Sequence, residues 1–502
     1  MSASAAPPAA VPVDISEEAA TWRLAEDVAA VLQPGDLVAL AGDLGAGKTS
    51  FARAMIRAAC GDPALDVPSP TFAIRIDYQA AHLQIAHADL YRIAGGDEAD
   101  ELGLDEALET GALIVEWPDR IDWPPVANRL DIDFEMSGAR RTAALKASGA
   151  WPERLKRTRR IRDLIEAAGF GDAQRLHVVG DVSAKAFERI VRGDGSTAIL
   201  MNAPAREPGP AVWHGRSYDA VAHRALDVTP FLAIGATLAD AGVHVPAVIA
   251  HDRAEGLVLM EDLGDEGIAD ESGEPIAERY EAAVDLLAYM HGRDWPDEPA
   301  FDGKTCRVPP YDAEALLIEI SLFADWHVPH VRGGAWSNAE RTDFLDAWRT
   351  VLGRIGTTPA TWVMRDFHSP NILWQAGETG MARVGVIDIQ DTLVGHPAYD
   401  VASLAQDARV EIGEKFETAL VDRYLAARRG ADAGFDDADF DEAYAILGAQ
   451  RATKVLGAFT RLAFHDGRTA YGAHIPRVKN VLARNLKHPV LSGLRVWYAD
   501  LL

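Results

Sequence analysis

Apolar residues alternate with polar ones at two different periods along this chain, and the changes of period mark its elements. Residues 15 to 32 follow the three-to-four spacing of an amphipathic helix. Asp36 to Ala41 form a short apolar run that predicts a buried strand, and Thr49 to Cys60 predict a helix starting just after a glycine-rich turn. The run Ala112 to Val115 and the stretch Arg129 to Phe134 add two more strands, so helices and strands alternate as they do around a parallel or mixed sheet. Trp151-Pro152 and a basic run interrupt this pattern, and a new amphipathic helix begins at Ile161. Beyond it, 175 to 262 carry several short strands, whereas 275 to 355 and 410 to 490 carry long helical patterns with a strand-loop-strand segment between them. That second half predicts two lobes, and no solenoid-type repeat is present.

Length supports the division. A chain of 502 residues exceeds one ordinary core of about 100 to 200 residues. Its 48% hydrophobic and 25% charged residues suit packed globular domains, with the Ala- and Pro-rich residues 1–12 expected to be a disordered tail. Cys60 and Cys306 stand far apart and offer neither a disulfide framework nor a zinc ribbon, which fits a cytoplasmic protein. The N-terminus has no basic leader, and no run of about 18 uncharged apolar residues follows, so no membrane insertion is expected. The formal charge of −27 is spread over both halves and disfavours strong direct nucleic-acid binding. Arg154 to Arg162, the one conspicuous basic run, has no interleaved aromatics and is read as a solvated linker or helix face at 151–165.

Two chemical constellations lie on this framework. The first is Gly42-Asp43-Leu44-Gly45-Ala46-Gly47-Lys48-Thr49, between a predicted strand and a predicted helix. Such a loop turns its backbone N–H groups onto phosphate, with Lys48 to neutralise the β and γ phosphates of ATP and the Thr49 hydroxyl to hold Mg2+. Glu116, ending an apolar strand, supplies the carboxylate that such a site needs, as a magnesium ligand or to orient the attacking water. His87 has no second His or Cys at metal spacing and is read as structural.

With these go Val67 to Phe72 (VPSPTF), His87 to Arg92 (HADLYR) and Val115 to Arg120 (VEWPDR). In order and spacing the set resembles the TsaE family, the ATPase of the pathway that makes threonylcarbamoyladenosine in tRNA, over about residues 13–150. The resemblance implies a switch-like loop of Ser69, Pro70 and Thr71, an active-site carboxylate at Asp89, and Thr21 near the nucleotide. It also implies ATP hydrolysis in complex with two partner proteins.

The second constellation is in TWVMRDFHSPNILW, where Asp366 precedes Asn371 by five residues, followed by Asp388 at the end of the apolar strand VGVIDIQD. Phosphoryl transfer requires one group to orient the acceptor hydroxyl and take its proton, Asp366 here, and two to hold Mg2+, Asn371 and Asp388. Upstream, Val178 to Val191 predict a hairpin over the phosphates with Ser183 and Lys185 at its polar tip, and Leu257 to Gly264, with Glu261, predict the strand and hinge behind the adenine. The segments GDVSAKAFERI, ILMNAP, AGVHVP, MRDFHSPN, GVIDIQDTLVGHPAYDVASL and QRATKVLGAFTRL resemble the aminoglycoside-phosphotransferase superfamily, and within it the AmgK-type anomeric kinases of N-acetylmuramate and N-acetylglucosamine. That likeness implies an amino-sugar substrate phosphorylated at its anomeric hydroxyl, in cell-wall recycling.

Met364 stands where most such kinases have histidine, so support of the loop is expected from packing. Asn202 replaces the usual third-strand lysine, and either Lys185 substitutes for it or Lys185 is a solvent-exposed hairpin residue. Asp391, Asp400 and Asp407 are read as helix caps, and Arg451 and Lys454 as packing residues. The fold expected is an α/β P-loop NTPase domain followed by a two-lobed α+β kinase-like domain, 166–502, with lobes at about 170–262 and 265–502. Alternatives are a kinase of another small alcohol or an aminoglycoside, and a pseudokinase scaffold attached to the ATPase.

Overall fold

The computed structural model describes residues 12–80, 83–93, 98–99, 101–178, 185–355 and 360–502. Contacts group the chain into two units, Met1–Pro204 with Val248–Asp262, and Ala205–Ala247 with Leu263–Leu502. Most of the expected tail lies outside the described residues, and Pro12 already belongs to a strand.

The first unit opens with β1 (Pro12–Asp14), α1 (Glu18–Ala29), β2 (Asp36–Gly42), α2 (Lys48–Cys60), β3 (Arg75–Gln79), β4 (Gln84–Asp89), α3 (Leu104–Thr110), β5 (Gly111–Glu116), β6 (Asn128–Ser137) and β7 (Arg140–Ala147). Its strands form one mixed sheet in the order β1-β7-β6-β2-β5-β4-β3. β2 lies parallel to both β5 and β6, and the antiparallel pairings are confined to the flanks. Covering on both faces explains why β2 and β5 are apolar without alternation. Val38, Leu40 and Ile114 pack in a core with Phe51, Met55 and Val28, while Leu37, Leu113 and Val115 pack on the other side with Leu104 and Ala107.

The span expected as a linker is instead a helix, α4 (Trp151–Ala167), that belongs to two cores. Trp151 and Leu155 pack in the core beneath α1 and α2, whereas Ile161 and Ile165 pack with Ile190, Leu200 and Leu259 of a second sheet. At 1.5 Å per residue the helix is roughly 25 Å long, enough for its ends to serve different neighbours. The second sheet contains β8 (Gln174–Val178), β9 (Ala186–Val191), β10 (Thr197–Asn202), β11 (Val248–Asp252) and β12 (Leu257–Glu261), ordered β11-β12-β10-β9-β8 and antiparallel throughout.

The basic run is likewise not a free solvated face. Arg154 makes two bonds to the buried Asp36 carboxylate at 2.5 and 2.7 Å, Arg157 reaches Glu255 at 2.9 Å, and Arg162 reaches Asp27 at 2.8 Å. Arg175 of β8, 1% exposed, bonds both oxygens of Glu188 at 2.7 and 2.9 Å and also pairs with Asp27 of α1. Periodicity identified the arginines but not their carboxylate partners, which come from segments more than 90 residues away in sequence.

The second unit is mainly helical: α5 (Thr229–Asp240), α6 (Ala277–His291), α7 (Ala313–Leu322), α8 (Asn338–Leu352), α9 (Ala398–Ala405), α10 (Glu414–Ala431), α11 (Asp437–Phe464) and α12 (Ile475–Asn485). Small antiparallel pairs interrupt the helices, and two of them frame the loop of interest, β13 (Thr361–Val363) with β16 (Leu393–Gly395), and β14 (Ile372–Trp374) with β15 (Val384–Val386). Among the described residues no helix is long and apolar enough to cross a membrane.

Candidate functional site

At the first site β2 ends at Gly42, and the chain turns through residues 43–47 before Lys48 opens α2. Gly42 at φ 131° and Gly47 at φ 113° occupy conformations that L side chains avoid, and a Cβ on Gly42 would run into the Phe134 carbonyl oxygen of β6. Lys48 is buried, its Nζ donating to the carbonyls of Gly42 at 2.7 Å and Asp43 at 2.9 Å and lying 3.8 Å from the Trp117 ring centre. Burial lowers its pKa, against the pull of the Glu116 carboxylate. Asp43, Leu44 and Gly45 are exposed at the tip, and Ala46 is buried behind it.

Register in the parallel sheet brings the remaining groups to this end. Leu40 lies beside Glu116, and Glu116 beside Asp89. The Thr49 hydroxyl donates to Glu116 Oε2 at 2.8 Å, and His87 Nε2 meets Glu116 Oε1 at 3.0 Å. Asp89 accepts from the Tyr91 N–H at 2.9 Å and from the Thr71 hydroxyl at 3.3 Å, while Ser69 Oγ lies 2.6 Å from Thr71 Oγ1. Pro70 closes this turn by accepting from the Ile74 N–H at 2.6 Å. Thr21 is inside α1 rather than at its cap, and its hydroxyl donates to the Ile15 carbonyl at 3.3 Å. Lys48, Thr49, Glu116 and Asp89 thus converge at the C-terminal ends of parallel strands, where ligands of such sheets bind.

The second site lies in the second unit, on the loop between β13 and β14. Asp366 is half-buried, and the Asn371 side-chain amide donates to its backbone carbonyl at 2.9 Å. The Ile387 N–H donates to the Asn371 carbonyl at 3.0 Å, which fixes Asp388, the next residue, against the loop. Asp388 adopts φ 61° and accepts from Gln390 Nε2 at 2.8 Å. Burial alone would raise the pKa of Asp366, but Lys454, with His368, Arg365 and Arg224, outweighs it and holds the carboxyl far below the usual carboxylate range.

Against known proteins, residues 15–143 match the family model "Threonylcarbamoyl adenosine biosynthesis protein TsaE", and residues 178–436 match "Phosphotransferase enzyme family". The second match spans half of the chain. The protein belongs to the phosphotransferase enzyme family and carries a TsaE domain fused ahead of it. An N-acetylmuramate/N-acetylglucosamine kinase of Caulobacter vibrioides is 34% identical over 66% of this chain and 93% of its own length. A namesake from Neisseria meningitidis serogroup B is 31% identical over 62% of this chain and 86% of its own. The tRNA threonylcarbamoyladenosine biosynthesis protein TsaE of Rickettsia felis is 41% identical over 24% of this chain and 71% of its own.

In the phosphotransferase part, support of the Asp366 loop comes from buried carboxylates, not from packing alone and not from helix caps. Asp400, fully buried, accepts from the backbone N–H groups of Met364 at 2.6 Å and Arg365 at 2.9 Å. Asp407 accepts from Ser369 N–H at 2.7 Å and Arg409 N–H at 2.8 Å, and Asp391 accepts from Ala225 N–H at 2.7 Å. Each side chain fixes a segment distant in sequence, which local spacing cannot reveal. Lys454 is likewise more than a packing residue, since it lies 2.9 Å from the fully buried Glu319, which also pairs with Arg365. Burial favours a higher pKa for Glu319, but Lys454 and then Arg365 hold it at about 2. The signal for Glu319 was present in LLIEISL, where a lone acid in an apolar helix needs a buried cation.

Other expected positions lie in the first unit. Ser183 lies outside the described residues. Lys185 immediately precedes β9, whose Ala186 pairs with Asn202, so it stands diagonally beside the strand position that lacks a lysine. Asn202 itself accepts from Arg157 of α4 at 2.6 and 3.2 Å. Glu261 ends β12 opposite Ala198 and is half-buried.

The donor chemistry fits magnesium at both sites. Among the described residues no cluster of three His, Cys, Asp or Glu is arranged to hold a metal alone. Thr49 with Glu116, and the Asn371 amide oxygen with Asp388, each offer two hard oxygen donors, and Mg2+ completes such incomplete sets with phosphate and water.

Proposed function

We propose that the protein is a bifunctional enzyme. Its N-terminal part, 13–150, is a P-loop ATPase that hydrolyses ATP together with two partner proteins to support threonylcarbamoyladenosine formation in tRNA. Its C-terminal part, 166–502, transfers phosphate from ATP to the anomeric hydroxyl of N-acetylmuramate or N-acetylglucosamine, in cytoplasmic recycling of cell-wall sugars. The observation that carries the kinase reading is the loop that presents Asp366, bonded through Met364 and Arg365 N–H to the buried Asp400 carboxylate and through the Asn371 amide to the Asp366 carbonyl.

In this reading the Asp366 carboxylate accepts a hydrogen bond from the sugar hydroxyl and takes its proton as the new O–P bond forms and the bond to ADP breaks. A low pKa makes Asp366 a weak base that orients the hydroxyl until the oxygen becomes acidic late in the transfer. Magnesium, held by Asn371 and Asp388 here and by Thr49 and Glu116 at the other site, would neutralise phosphate charge. At the ATPase site Lys48 covers the β and γ phosphates, and Glu116, braced by His87, orients the attacking water. Ser69, Pro70, Thr71 and Asp89 would respond to the γ phosphate, and Thr21 would lie near the nucleotide. Ser183, Lys185 and Glu261 would serve the nucleotide of the kinase.

The test offers purified protein N-acetylmuramate, N-acetylglucosamine and kanamycin with ATP, reading the phosphate position of each product by NMR. Asp366→Ala is expected to abolish sugar phosphorylation and keep ATP hydrolysis with the partner proteins, and Lys48→Ala to do the reverse. Phosphorylation of kanamycin alone would end the sugar assignment.

A further inference from the structure

Lys454, Arg365 and Arg224 all act electrostatically on Asp366, and two of them are already committed. Arg365, 1% exposed, directs its guanidinium to Glu319 and to the Ala222 carbonyl at 2.9 Å, and Lys454 pairs with Glu319. Arg224 differs. Its Nε meets Asp391 Oδ2 at 2.9 Å, yet the side chain is 44% exposed, and its two Nη groups make no hydrogen bond among the described residues.

The segment around Arg224 is built to hold it there. The Ala222 carbonyl is bonded by Arg365, the Arg224 N–H donates to the Asp219 carbonyl at 2.9 Å, and the Ala225 N–H donates to Asp391 at 2.7 Å. Asp219 is itself gripped through both oxygens by Arg206 at 2.8 Å. Between these fixed points His223 is forced to φ 52°, a conformation a non-glycine residue keeps only where its surroundings over-determine it. Strain, a buried carboxylate and Arg365 together hold the segment, so the exposed Arg224 side chain is kept in one place over Asp391. An arginine with a free Nη edge is the side chain suited to bidentate recognition of a carboxylate.

We propose that Arg224 is a specificity-determining residue that binds the carboxylate of an acidic amino sugar. The assignment rests on the kinase reading above. N-acetylmuramate carries a lactyl carboxylate that N-acetylglucosamine lacks, so Arg224 discriminates between the two sugars while Asp366 serves both. Asp391 keeps the guanidinium oriented and leaves its Nη edge to the substrate.

The test compares kcat/KM for both sugars in the wild type, Arg224→Gln and Arg224→Lys, with thermal melting to confirm folding. Loss of a charge-assisted bidentate contact is worth about 10- to 100-fold, so Arg224→Gln is expected to lower kcat/KM for N-acetylmuramate by about that factor relative to N-acetylglucosamine, mainly through KM. Arg224→Lys, which keeps the charge over Asp391 but loses the fork, is expected to recover part of the selectivity. An equal loss for both sugars in both variants would assign Arg224 to the phosphates or to the loop and overturn the proposal. A wild type that phosphorylates both sugars keeps the kinase reading whichever way the selectivity falls. A wild type that phosphorylates neither overturns the kinase reading and this assignment together.

Discussion

Lys454, Arg365 and Arg224 carry the same charge beside Asp366 and do three different things. Lys454 bridges toward Glu319 from α11, Arg365 ties the Asp366 loop to Glu319 and Ala222, and Arg224 pairs with Asp391 while its side chain stays 44% exposed. Lys454 is foremost among the charges that lower the Asp366 pKa. Replacing it by Met removes that attraction, so the Asp366 pKa is expected to rise. The acidic limb of the kinase kcat/KM profile should then move to higher pH, with activity at alkaline pH retained better than at acidic pH. A pH–rate series on Lys454→Met checks this, and an unshifted limb would show that Lys454 acts on Glu319 alone. At this scale the spacing of Asp366, Asn371 and Asp388 was legible, because the three are close in sequence. The partners of Glu319, Asp400 and Lys454 were not, because other elements bring them.

Loops at the ends of strands illustrate the same divide at the level of elements. The P-loop was readable because its glycines, lysine and threonine are contiguous and flanked by one strand and one helix. What pins it is β6, whose Phe134 carbonyl crosses directly beneath Gly42. Gly42→Ala combines a forbidden φ with that collision. Its cost is expected to be roughly 2–4 kcal/mol of stability, together with loss of nucleotide binding, measurable by denaturant unfolding and by nucleotide titration. Helix α4 is the element most misjudged from sequence alone. Its basic residues resemble a solvated face until Asp36, Asp27 and Glu255 arrive from elsewhere to pair with them.

On the scale of the whole molecule, α4 makes the TsaE domain and the five-stranded sheet of the phosphotransferase part neighbours within one unit. Arg175 is the centre of that junction, shared by Asp27 of one sheet's helix and Glu188 of the other sheet. Removing Arg175 takes from Glu188 the cation that bonds both its oxygens, and breaking a buried pair in this way costs about 3–5 kcal/mol. Arg175→Met is therefore expected to lower the melting temperature and to make ATPase and kinase activities fail at a common lower temperature. Calorimetry with both assays across a temperature series decides it, and an unchanged melting profile would mean that the junction adds nothing to stability.

The order of elements, the strand-loop-helix of the P-loop and the spacing of Asp366, Asn371 and Asp388 were determined by sequence alone, because each depends on residues adjacent along the chain. Tertiary structure decided which buried carboxylate meets which cation, that α4 is shared by two cores, and that Arg224 pairs with Asp391 while staying exposed. Those outcomes depend on the register of sheets and the packing of helices, which bring together groups as distant in sequence as Ala225 and Asp391, 166 residues apart.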